Sequence, residues 1–194
     1  MRKTHTTGEY AIPNVETPVA SRPDEVPMDS DAFAGFYKRS APALRAYLVR
    51  VSGNYALADD LMQESYLRFL CASRPEGGEV NYRRYLYRIA TNLLRDHWKR
   101  PRAACIDDVP ERFLTADDGL SRVDSQAILD PALARMRPRE RQLLWLAHAE
   151  GYSHREIAEI TGLNSAGIRL LLYRARRKIA RLLRKQICPD RGKA

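Results

Sequence analysis

From Asp29 to about Gln186 the large apolar residues recur at three- and four-residue steps, and no stretch alternates apolar with polar. Steps of three and four place side chains on one face of an α-helix, whereas a half-buried strand needs alternation. The chain is therefore expected to be all-α. The first stretch carries Phe33, Phe36, Tyr37, Leu44, Tyr47, Leu48 and Val51, with Asp29, Ser30 or Asp31 as its cap. Pro42 breaks this stretch or opens a second helix. A helix follows over about Ala56–Cys71, with Met62, Tyr66, Phe69 and Leu70 on one face. The next runs over about Asn81–Arg100, with Tyr82, Leu86, Ile89 and Leu93 as its apolar stripe, and Pro101 helps to end it.

Punctuation divides the rest. Residues 1–28 hold Pro13, Pro18, Pro23 and Pro27 and few large apolar residues, so they are expected to stay disordered. Residues 101–124 lose the periodicity and collect Asp107, Asp108, Glu111, Asp117, Asp118 and Asp124, the pattern of a flexible acidic linker. Two small helical domains are thus expected, over 29–100 and 125–187, with 188–194 as a tail. The second begins with a helix over about Ser125–Met136. Another starts at Pro138 and is closed by Gly151.

Ser153–Arg177 reads SHREIAEITGLNSAGIRLLLYRARR. Ser153 with Glu156 three residues on is a capping box. Gly162 ends that helix, and Asn164 or Ser165 opens another reaching about Gln186. A short capped helix, a glycine turn and a second helix make a helix-turn-helix, whose second helix enters the major groove of DNA. Ile157, Ala158, Ile160 and Leu163 pack the pair together. From Arg169 to Lys185 the chain carries eight basic side chains and no acidic one. A solvated face would mix signs, and like charges repel unless phosphates neutralise them. Ser165, Ala166 and Arg169 are best placed for base edges, and Arg155, Arg174, Arg176 and Arg177 for phosphates. Tyr173 serves either role, or packs. Of Leu170, Leu171 and Leu172, one or two belong to the core, and the third meets a thymine methyl or a protein.

In the first domain Asp60, Glu64 and Arg68 follow at four-residue steps, a polar face opposite Met62, Tyr66 and Phe69. Over Asn81–Arg100, Arg83, Arg84, Arg88, Arg95, Lys99 and Arg100 interleave with Tyr82, Tyr85, Tyr87 and Trp98. Cations for a backbone and flat rings for unstacked bases are what single-stranded nucleic acid needs. Tyrosines in the core and solvated arginines are the plain alternative.

The formal net charge of +9 favours a polyanionic partner, nucleic acid before a membrane surface. No apolar run approaches the roughly 20 residues of a membrane span, and no signal peptide is expected, so the reading places the protein in the cytoplasm. Cys71, Cys105 and Cys188 are far apart and lack the spacing of a metal site, so reduced thiols, no metal and no cofactor are expected. His5, His97, His148 and His154 accompany no nucleophile pattern, and no glycine loop cradles phosphate, so no enzyme is expected.

The order of these segments resembles the extracytoplasmic-function sigma factors of the sigma-70 family, over about residues 29–185. ADDLMQESYLRFL resembles the helix that grips the clamp helices of the polymerase's largest subunit, which implies contacts from Asp59, Asp60, Gln63 and Glu64. YLYRIATNLLRDHWKR resembles the helix that melts and reads the promoter −10 element. Tyr85 stands where the family usually has Trp, and Asn92 and Asp96 match family positions. The loop Arg74–Val80 lies where the family captures a flipped-out base. The resemblance thus implies −10 contacts from Arg74, Asn81, Tyr82, Arg84, Tyr85, Arg88, Asn92, Arg95 and Lys99. MRPRERQLLWLAHAEGYSHREIAEITGLN resembles the four-helix domain that reads the −35 element. The expected partners are core RNA polymerase (clamp helices and flap), promoter DNA and, as the family is usually held inactive by one, an anti-sigma factor; no membrane is expected. One departure stands out: where the family often has Thr-Val-Lys-Ser-Arg, this chain has Gly167-Ile168-Arg169-Leu170-Leu171. The alternative is a stand-alone helix-turn-helix regulator that binds duplex DNA without polymerase. It leaves Asp59–Glu64 and Asn81–Arg100 without a role.

Overall fold

The computed structural model describes residues 28–72, 75–99 and 123–187. Within them the fold is seven helices and no strand, as the periodicity requires. The first group is α1 (Ser30–Ser52), α2 (Tyr55–Cys71) and α3 (Gly78–Lys99); the second is α4 (Val123–Ala134), α5 (Pro138–His148), α6 (His154–Thr161) and α7 (Ser165–Ile187). The expected tails, most of the linker, Arg74, Arg100, Cys105 and Cys188 lie outside the described residues.

Local chemistry sets the helix ends. The Asp29 carboxylate accepts from the Asp31 and Ala32 amides, so it is the cap among the three candidates. Gly53 closes α1 at φ 77°, a left-handed conformation open to glycine. Asn54 caps α2 through the Leu57 amide at 2.9 Å. The capping box of α6 is complete: Ser153 Oγ accepts from the Glu156 amide at 3.3 Å, and Glu156 Oε2 accepts from the Ser153 amide at 2.8 Å.

Two expectations need correction. Pro42 neither breaks α1 nor opens a new helix; α1 runs through it unbroken. The ring faces solvent, and burial of Phe36, Ser40, Leu44, Tyr47 and Leu48 around it outweighs one lost backbone bond. The periodicity puts Leu70 with Met62, Tyr66 and Phe69, yet it is exposed, as is Leu67, while Tyr66 and Phe69 are buried. A 17-residue helix lying on one flank of a bundle buries a single stripe.

The core of α1–α3 is aromatic. Phe36 stacks on Phe69 at 5.1 Å between centroids, with Tyr82 edge-on to both. The three-helix and four-helix groups do not stand apart. One continuous apolar cluster joins Leu48, Val51, Leu86, Tyr87 and Leu94 to Leu143, Leu146, Ile157, Ile160, Ile168 and Leu172. A smaller cluster of Leu133, Met136, Leu144 and Ala175 seats α4 on α5 and α7.

Polar groups cross the same boundary. Gln142 Nε2 donates to Tyr47 Oη at 2.7 Å and lies 3.2 Å from Thr91 Oγ1, while Tyr47 and Thr91 bond each other at 2.7 Å. Arg141 donates to the Val51 carbonyl at 2.7 Å. Arg50 pairs with Asp130, and Arg83 meets Glu150 at 3.0 Å. Buried polar groups without such partners would each cost about 1–3 kcal/mol.

Candidate nucleic-acid interface

The helix-turn-helix is built as the sequence requires. Ile157, Ala158 and Ile160 of α6 are buried against Ile168 and Leu172 of α7, and Gly162 makes the turn at φ 68°. Asn164 holds the entry to α7 through the Ala166 amide at 2.9 Å. The leucine run resolves into three fates: Leu172 is buried, Leu171 half-buried, and Leu170 is 50% exposed.

Opposite that core, α7 turns its charge outward. Ser165, Ala166, Arg169, Tyr173, Arg174, Arg176 and Arg177 are all exposed. The Arg177 guanidinium lies 5.8 Å from the centre of the Tyr173 ring. Among the described residues Arg169, Arg174 and Arg177 form no ion pair, so their charge is free for an outside anion. Arg176 instead donates to His148 Nε2 at 3.1 Å, and Lys178 pairs with Glu140 at 2.5 Å. Arg155 on α6 is almost fully exposed and only loosely paired with Glu159 at 3.4 Å.

The interleaved helix α3 is divided. Arg88, Arg95, Trp98 and Lys99 are exposed. Tyr87 is fully buried, with its ring against Tyr47 and Tyr152, so it is a core residue and unavailable for stacking on bases. Burial also pushes its phenol far above the usual tyrosine range. Tyr82 and Tyr85 are half-buried beside Phe69. Asn92 accepts from Arg95 at 2.8 Å. Asn81 donates to the Glu76 carbonyl at 2.6 Å, which fixes the loop that Gly77 and Gly78 turn at positive φ.

Arg84 is engaged by the other helical group: it pairs with Glu156 and lies 3.7 Å from Glu159. The Glu156 carboxyl is held below its usual range, first by its bonds to Ser153 and then by Arg84. Ile160 and Glu159 of α6, with Asn81, Tyr85 and Arg88 of α3, wall a cleft of about 200 Å³.

On α2 the four acidic or amide candidates differ. Asp60 and Gln63 are exposed, whereas Asp59 accepts two bonds from Arg45 at 2.6 and 3.0 Å, which hold its carboxyl below the usual range. Glu64 pairs with Arg68 at 2.6 Å. Sequence reasoning missed the clasp formed by Arg83, Arg84, Arg141 and Gln142 with the other group. Its one signal was the polar pair Arg141-Gln142 on the apolar face of a short helix.

A capped helix-turn-helix with an outward basic face, joined to a second basic helix, defines an all-helical DNA-binding protein. Residues 36–104 match the Sigma-70 region 2 family, and residues 126–179 match Sigma-70, region 4. The chain is 30% identical over 167 residues to the ECF RNA polymerase sigma factor BldN of Streptomyces coelicolor, an alignment covering 80% of this chain and 61% of that one. It is 31% identical over 160 residues to the RNA polymerase sigma factor CarQ of Myxococcus xanthus, covering 79% and 90%. The fold is similar to the sigma factor RpoE solved with the anti-sigma factor NepR from Bartonella quintana, at TM-score 0.58 and 19% identity, covering 78% of this chain and 96% of that one. The chain belongs to the extracytoplasmic-function sigma factors of the sigma-70 family.

Proposed function

We propose that this chain binds core RNA polymerase and directs promoter-specific initiation in the cytoplasm, with no catalysis of its own. Residues 29–100 would bind polymerase and read and melt the −10 element, and 125–187 would read the −35 element. The observation that carries this is the unpaired basic face of α7, set behind a capped glycine turn, on a chain that also matches region 2. A stand-alone regulator needs the first and has no use for the second. Asp60 and Gln63, exposed on α2, are the freest candidates for the polymerase clamp helices; Asp59 and Glu64 reach it only by leaving Arg45 and Arg68. Arg88, Arg95 and Lys99 are the open candidates for the −10 strand. The RpoE structure contains an anti-sigma factor, and a partner of that kind is part of the proposal.

Run-off transcription with core polymerase, with and without this chain, tests the reading: protein-dependent starts are expected. Duplex binding without polymerase binding would favour the stand-alone regulator. Asp60→Lys with Glu64→Lys should weaken polymerase binding at least tenfold, with helical content unchanged by circular dichroism. Unaltered affinity would remove α2 from the polymerase interface.

A further inference from the structure

Helix α7 leaves two large side chains, Leu170 and Tyr173, in the middle of its charged face. They are 50% and 55% exposed. At about 100° per residue, Ala166, Leu170, Tyr173 and Arg177 share one stripe, which lies opposite Ile168, Leu172 and Ala175. Arg169 and Arg174 flank it. Leu170 is therefore neither core nor rim.

An exposed leucine costs little by itself, but its position selects its occupant. The stripe carries free cations on both sides and no acidic residue from Arg169 to Lys185, so the approaching surface is polyanionic. It begins at the entry to α7, and the N-terminal part of a recognition helix is the part that meets base edges. In the major groove the one apolar feature on a base edge is the thymine 5-methyl group. The cation–π contact of Arg177 over the Tyr173 ring sets the aromatic one turn beyond Leu170, as a second apolar wall.

We propose that Leu170, backed by Tyr173, is a specificity-determining residue that reads one or two thymines of the −35 element through their 5-methyl groups. This rests on the sigma reading above and names the base feature it selects. Arg174 and Arg177 position the helix on phosphates, Arg169 lies with the base-edge candidates, and Leu170 supplies a contact that no hydrogen bond replaces.

The test uses holoenzyme assembled from core polymerase and the full chain. Promoters are first selected from duplexes randomised upstream of the start site. Each thymine of the selected −35 element is then replaced singly by deoxyuridine, which removes the methyl and nothing else. At least one replacement should lower promoter occupancy about fourfold, the factor that burial of one methyl-sized group supports. With Leu170→Ala that penalty should vanish, while Leu170→Met should keep it; because Leu170 is exposed, both variants should fold. A selected element without thymine, or an equal uridine penalty in wild type and Leu170→Ala, would overturn the assignment. So would a Leu170→Ala that binds polymerase poorly but selects the same DNA, since that makes the leucine a protein contact. If no polymerase-dependent promoter is selected at all, the sigma reading itself falls, and this inference with it.

Discussion

Tyr47 shows how one side chain ties distant parts of the chain together. Its ring is fully buried against Tyr87, and its hydroxyl bonds Thr91 and Gln142, residues 44 and 95 positions away. Burial pushes the phenol up to about 12, offset in part by those two bonds. The unfolded phenol titrates near 10. Because the folded value is raised, Tyr47 stabilises the native state fully below about pH 10, and that contribution is lost as pH rises toward about 12. Denaturant midpoints at pH 8, 10 and 11.5 should hold over the first interval and fall over the second. Tyr47→Phe should make the fall shallower; an identical slope would show that this phenol does not report the loss. Tyr66 and Tyr152 are also raised to about 12 by burial, so some slope should remain.

Among the elements, α1 carries the clearest internal conflict. Pro42 lies in the middle of a 23-residue helix and denies the Lys38 carbonyl its partner. Ser40 bonds the Phe36 carbonyl at 2.7 Å and Tyr66 at the same distance, which anchors the turn just before the proline. Pro42 is exposed and packs nothing away, so Pro42→Ala should raise stability by up to about 3 kcal/mol, the propensity difference between the two residues. Thermal unfolding would read this, and a lowered melting temperature would mean the proline shapes a bend that the core needs. This element also marks what the sequence could reveal. Helix positions, the Ser153–Glu156 cap and the glycine turn were legible because they depend on residues a few places apart. The course of α1 through Pro42 was not, because it depends on packing by α2 and α3. The exposed Leu70 escaped for the same reason: periodicity shows a stripe but not how wide a neighbour covers it. On α7 the division of the three leucines was legible in kind, and only the fold assigned which was which.

At the scale of the whole molecule, the two helical groups that the linker composition separates along the chain share one apolar core. Nothing in a local window signals that Gln142 will meet Tyr47 or that Arg84 will meet Glu156; those pairings are 95 and 72 residues apart. Arg83 and Arg84 supply the α3 share of the charged joint, beside the Arg50–Asp130 pair, and reversing them places like charges opposite Glu150, Glu156 and Glu159. Arg83→Glu with Arg84→Glu should therefore enlarge the radius of gyration in small-angle scattering while helical content stays constant. An unchanged radius would mean that the apolar cluster, the Gln142 and Arg141 bonds and the Arg50–Asp130 pair hold the joint without the α3 ion pairs.

The engagement of Arg84 has a further consequence, which concerns populations and not contacts. The −10 contact that the resemblance implies for Arg84 would need the same guanidinium that serves Glu156; because the two halves are covalently tied, closure would compete with that contact as an intramolecular event. On that proposed role, measured affinity for a promoter would be the intrinsic affinity scaled by the fraction of molecules in which Arg84 is released. Two variants with identical residues on α7 would then differ in apparent promoter strength solely through Gln142, which is buried against Tyr47 and Thr91.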